Sequence, residues 1–88
     1  MKYAILRYKE HDTETGVITC FQYLTEDIEF WSKDAIDHIG LKIKMFSDFD
    51  KACELYANHA TDLYKPEFTY IVREYIEVKV KNESEVTK

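Results

Sequence analysis

The sequence predicts an α+β fold: an antiparallel sheet of four to five strands with one main helix packed on one face. The expected order is strand, strand, short strand or short helix, strand, helix, strand. Three observations carry this. Residues 41–46 alternate Leu41, Ile43 and Met45 with Lys42, Lys44 and Phe46, the two-residue period of a strand. Ser47 then stands three residues before Asp50, the spacing of a capping box. From Phe49 the apolar positions become Phe49, Ala52, Cys53, Tyr56, Ala60 and Leu63, which share one helical face.

Residues 2–9 form the first strand, with Ala4, Leu6 and Tyr8 on one side and Tyr3 and Ile5 on the other. Apolar residues on both sides predict a central strand, because an edge or half-solvated strand shows a polar face. The polar run 11–16 (HDTETG) ends in glycine and predicts a hairpin connection, followed by a second strand over 17–24. Residues 25–31 (TEDIEFW) allow a short third strand carrying Ile28 and Phe30, with an irregular loop as the alternative. Ser32 is placed to cap a brief helix carrying Ala35, Ile36 and Ile39, and Gly40 to stop it. Lys65-Pro66 ends the main helix, since a residue before proline avoids helical angles.

The last expected strand spans 68–80, with Phe68, Tyr70, Val72, Ile76, Val78 and Val80 on one face and Ile71 and Tyr75 on the other. Glu74 interrupts the first set, which predicts a bulge at residues 73–75. Residues 1–81 are read as one domain and 82–88 (NESEVTK) as a polar tail.

Eighty-eight residues bury roughly 60% of the unfolded surface or a little more, so stability depends on a rich core. A 15% aromatic content supplies one, each ring burying on the order of 150–250 Å². A net charge of −5 argues against nonspecific nucleic-acid binding, which relies on cations to neutralise phosphates, and against docking to an anionic membrane. It is compatible with a basic protein partner. With no apolar run near 18 residues and no signal-like segment, a cytoplasmic protein is expected, and Cys20 and Cys53 are expected as buried free thiols.

Enzymatic constellations are thin. His11, His38 and His59 have no metal-pair spacing. Cys53 and His59 are six residues apart on one helix, about 600° of rotation at ~100° per residue, and so point to different sides. Two glycines cannot build a phosphate loop. The expectation is no catalytic residue, no metal and no cofactor. The stretch with functional promise is acidic and aromatic: Glu26, Asp27, Glu29, Phe30 and Trp31, followed by Asp34 and Asp37. Large aromatics anchor interfaces and surrounding charges tune partner choice. The bland alternative is that Ile28, Phe30 and Trp31 plug the end of the core while the acids face water. A second candidate surface is the sheet face away from the helix, where Tyr3, Ile5, Ile71 and Tyr75 are expected to collect and to leave open a homodimer.

The opening strand MKYAILRY, the passage KMFSDFDKACELYAN and the closing FTYIVREYIEVKV together resemble small bacteriophage and mobile-element proteins, among them anti-CRISPR-type inhibitors, which include acidic domains of one sheet and one helix. The resemblance transfers no functional residue. It implies a protein that works in a host cytoplasm by occupying a surface on a host complex. The expected function is therefore noncatalytic protein binding, in its narrower form inhibition of a bacterial defence or nucleic-acid-processing complex. The alternative is a small-ligand or nucleotide-binding domain, dimeric in one version, with a pocket lined by tyrosines.

Overall fold

The computed structural model describes residues 1–76 and shows an open four-stranded antiparallel sheet with two helices. The strands are β1 (Tyr3–Thr13), β2 (Gly16–Leu24), β3 (Phe30–Trp31) and β4 (Thr69–Glu74), ordered β3-β2-β1-β4 across the sheet. The helices are α1 (Lys33–Ile39) and α2 (Phe49–Leu63). The expected strand beyond residue 76 and the tail at 82–88 lie outside the described residues.

Strand β1 is central, as its two apolar sides require, with β2 on one flank and β4 on the other. The polar run 11–16 is not a loop. Asp12 pairs with Val17 and His11 with Ile18, so the ladder continues to Thr13 opposite Gly16, and only Glu14 and Thr15 turn the chain. Gly16 takes φ +140, where a Cβ is strained, and the Thr13 hydroxyl donates to the Gly16 carbonyl at 2.7 Å. The expected hairpin is present with its reversal confined to Glu14 and Thr15, and the polarity of residues 11–13 reports a two-stranded ribbon exposed on both faces.

Helix α2 covers the other end of the sheet. Ile5, Leu24, Phe46, Ala52 and Leu63 form the buried cluster, with Tyr3, Ile28, Phe30, Leu55, Tyr56 and Val72 packed around it. Its N-cap is Asp48, not Ser47: the Asp48 carboxylate accepts from the Asp50 amide at 2.8 Å. A carboxylate satisfies an orphan amide and also complements the positive end of the helix, two gains where a hydroxyl offers one. Residues 41–46 run extended but build no full strand; they bridge Thr25 through Ile43 and Tyr3 through Phe46. Their hydrogen bonds cross from β2 to β1, with the Lys44 amide on the Leu24 carbonyl at 2.9 Å and the Phe46 amide on the Tyr3 carbonyl at 2.9 Å. One β1 and one β2 terminus share this segment, so neither pairing lengthens into a ladder.

Three further expectations need correction. The β1–β4 register is unbroken from Tyr3 opposite Glu74 to Tyr8 opposite Thr69, so no bulge precedes residue 75. The faces of β1 are inverted relative to the second candidate surface: Tyr3 and Ile5 lie under α2, while Leu6, Ile71 and Tyr23 share the opposite face. That face is partly closed. Ala4 and Leu6 are buried, Tyr75 packs edge-on against Tyr23 at 5.8 Å, and Ile36 of α1 shares a shallow cleft with Tyr75, Leu41, Ile43 and Met45. Finally, both thiols are free but exposed. Cys20 sits on the uncovered ribbon, and Cys53 overhangs the β4 edge because α2 docks through Ala52, Leu55, Tyr56 and Leu63. Ala52, Tyr56 and Leu63 of the expected stripe face the core, while Leu55 packs there and Cys53 does not.

Candidate functional site

The acidic stretch is held by a turn whose geometry originates in Thr25 and Ile28. Thr25 is buried and binds the Glu29 carbonyl twice, through its amide at 2.9 Å and its hydroxyl at 3.0 Å. The Ile28 amide donates to the Thr25 carbonyl at 2.9 Å, and the Glu26 amide to the Lys42 carbonyl at 2.9 Å. Ile28 itself has φ 61, a left-handed conformation that a β-branched side chain adopts at a cost of about 1–3 kcal/mol. Its side chain packs against the core cluster, and that burial offsets the strain. The outcome is that Glu26, Asp27 and Glu29 all face solvent while the residue between them is tied inward.

Strand β3 then splits the two aromatics between faces. Phe30 lies opposite Leu24 on the α2 side, and Trp31 opposite Tyr23 on the other. Phe30 is half-buried, contacts Tyr70 edge-on at 5.7 Å and carries the Arg7 guanidinium 4.5 Å above its ring. Arg7 is sandwiched, since its guanidinium also lies 4.0 Å over Phe68, and its Nε donates to the Gln22 amide oxygen at 2.7 Å. Trp31 remains 37% exposed, with its indole N–H donating to a Glu29 carboxylate oxygen at 3.3 Å. The structure therefore divides the stretch: Ile28 and Phe30 close the core, and Trp31 stays at the surface.

Helix α1 follows directly. The Ser32 hydroxyl accepts from the Ala35 amide at 3.2 Å, and the Gly40 amide, at φ 89, donates to the Ile36 carbonyl at 2.9 Å, so both expected signals operate. Asp34 and Asp37 are exposed on this helix. Asp37 is engaged by Lys33 one turn earlier at 3.0 Å, a pair worth about 0.3–0.5 kcal/mol at the surface. All five acids thus sit on one turn–strand–helix passage around Trp31.

A second feature escaped the sequence reasoning. Tyr70 is the hub of an aromatic cluster, with Tyr56 at 5.3 Å, Tyr64 at 5.8 Å and Phe68 at 6.4 Å. Its hydroxyl donates to the Leu63 carbonyl and accepts from the Lys65 amide, both at 2.8 Å, and so finishes the C-terminus of α2. The only signal was the tyrosine content itself. Partial burial, with Tyr70 and then Tyr64 adding to it, holds the Tyr56 hydroxyl above the usual phenol range. Beside this cluster a cleft of about 270 Å³ is lined by Ile5, Phe49, Cys53, Tyr56, Tyr70, Ile71 and Val72.

Among the described residues no cluster of three histidines, cysteines or carboxylates can hold a metal ion, and no helix is long and apolar enough to cross a membrane. Cys53 and His59 line separate clefts. Compared with family models, curated proteins and solved structures, the chain matches none.

Proposed function

We propose that the protein is a noncatalytic binding module that meets a basic protein surface through Trp31 and the acids Glu26, Asp27, Glu29, Asp34 and Asp37. The observation that carries this is the exposure of all five carboxylates on one continuous passage around a partly exposed indole. Desolvated aromatics supply interface free energy, and a ring of like charge speeds encounter with an opposite surface. Phe30 contributes by fixing the strand beneath Trp31, with its own ring covered by Arg7. A basic groove built for nucleic acid is the partner chemistry that fits. The narrower reading, inhibition of a bacterial defence complex by a phage-type protein acting in the host cytoplasm, is supported by the sequence resemblance alone.

The test compares the natural chain with a Glu26→Lys, Asp27→Lys, Glu29→Lys variant and with Trp31→Ala as baits in bacterial lysate, read by quantitative mass spectrometry over a salt series. The three acids are in exposed positions, and circular dichroism checks that both variants fold. We expect partners that bind the natural chain with strong salt dependence, are lost with charge reversal, and are weakened about 30-fold by Trp31→Ala, as for a hot spot. Equal capture by all three baits at every salt concentration removes this surface from consideration.

The tyrosine-lined cleft supports a second reading, a small-ligand domain. Its volume lies below the roughly 300–1,000 Å³ of ordinary ligand pockets, and no charged side chain lines it to hold a phosphate. An apolar fragment, not a nucleotide, is the ligand it would accept. A thermal-shift screen containing both classes separates these readings.

A further inference from the structure

We propose that β2 is a self-association edge, through which two copies of this chain pair antiparallel about a two-fold axis at Thr19. This surface is distinct from the acidic one, and neither proposal rests on the other.

All nine residues of β2, GVITCFQYL, are uncharged, and they include Val17, Ile18, Thr19 and Phe21, which favour extended backbone. Natural sheets protect an open edge with lysine, proline, a bulge or a covering segment. None of these protects β2 among the described residues. Its register with β1 is continuous from Leu6–Tyr23 to Thr13–Gly16, and β3 pairs only with Tyr23 and Leu24. Residues 16–22 thus have no outer neighbour among the described residues, although Val17 is 59% and Ile18 53% exposed.

The hydrogen-bonding direction follows from one contact. The Tyr75 amide donates to the Lys2 carbonyl at 2.8 Å, so even-numbered β1 residues turn their backbone groups toward β4 and odd-numbered ones toward β2. The β2 partners of those odd residues are even-numbered, among them Gln22, Cys20, Ile18 and Gly16. Val17, Thr19 and Phe21 therefore present their amides and carbonyls outward.

A second copy fits this edge in length, side-chain pattern and charge. The open segment runs from 16 to 22, and its midpoint is Thr19. A two-fold axis there places Gly16 of the copy opposite Gln22, one residue short of the β3 pair at Tyr23, so the open length is filled. It sets Val17 opposite Phe21 of the copy on one face and Ile18 opposite Cys20 of the copy on the other, with the two Thr19 side chains facing each other. Aromatic–β-branched and Thr–Thr apposition are both favourable cross-strand pairs. The absence of charge lets the strand meet its own copy without repulsion, despite a chain charge of −5, and gives a charged partner nothing to read. The interface is smaller than the roughly 1,600 Å² of standard complexes, so the dimer dissociates on dilution.

The experiment is sedimentation equilibrium on the full chain under reducing conditions over a concentration series, joined to amide exchange by NMR. The mass is expected to rise from 10.5 kDa toward twice that value, while the amides of Val17, Thr19 and Phe21 gain protection with concentration. Thr19→Lys, at an exposed position, places like charges on the axis and should hold the chain at monomer mass with an unchanged fold. A chain that stays monomeric to its solubility limit overturns the proposal. So does association that survives Thr19→Lys, or growth beyond the dimer. Protection of those three amides independent of concentration also overturns it and assigns the edge to a segment of the same chain, which a variant ending at residue 76 would uncover.

Discussion

Tyr70 connects three parts of the molecule through one side chain. Its ring meets Phe30 from β3, Tyr56 and Tyr64 from around α2, and Phe68 beside its own strand. Its hydroxyl closes the last turn of α2 through the Leu63 carbonyl and the Lys65 amide. Removing that oxygen leaves the ring contacts intact and two backbone groups without their partner. Tyr70→Phe should therefore lower unfolding free energy by about 1–2 kcal/mol in urea titration, with the aromatic circular dichroism retained. A loss below the error of that titration means that water replaces both bonds. Thr25 shows the same economy, since one buried threonine uses its amide and hydroxyl on a single carbonyl to shape the acidic turn.

At the scale of elements, what local chemistry decides was legible and what distant partners decide was not. Ser32 and Gly40 bracket α1 as expected because each acts on atoms within four residues of itself. The cap of α2 shifted by one residue for an equally local reason, and it is testable: Asp48→Ala should cost about 1 kcal/mol in thermal or denaturant unfolding, while Ser47→Ala should stay within about 0.5 kcal/mol. Equal losses would return the capping role to Ser47. Residues 41–46 alternate like a strand, yet whether they join a ladder depends on how much open edge β1 and β2 leave them, which no local pattern encodes. The faces of β1 were ambiguous because both are apolar, so periodicity could not choose which one α2 covers. Within the acidic site the carboxylates were legible as surface residues. That Phe30 is the covered one of the two aromatics was not, because its cover comes from Arg7 and Tyr70, more than twenty residues away in each direction.

For the whole molecule, the asymmetry of burial is the governing property. The core gathers at one end, where α2, β4 and residues 41–46 converge, and the β1–β2 ribbon extends from it with every residue from 10 to 21 exposed. Stability is accordingly concentrated. Ile5→Ala should cost about 2–5 kcal/mol by creating a cavity in the buried cluster, whereas Ile18→Ala, measured on the dilute chain, should stay within about 0.5 kcal/mol. Chemical denaturation of both variants checks the contrast, and comparable losses would mean that the ribbon is packed in solution. This arrangement separates the proposed contact surfaces from each other: the acidic passage is seated on the core, and the ribbon edge is supported by β1 alone.

The left-handed backbone at Ile28 has a consequence for how the protein presents itself. A short peptide copying the turn would keep its local hydrogen bonds but lose the burial of the isoleucine that offsets the strain, and would relax out of that shape. The acidic display is thus an all-or-none property of the native molecule. Damage to the interior withdraws it, and a partner that reads this turn would at the same time be checking that the chain is intact.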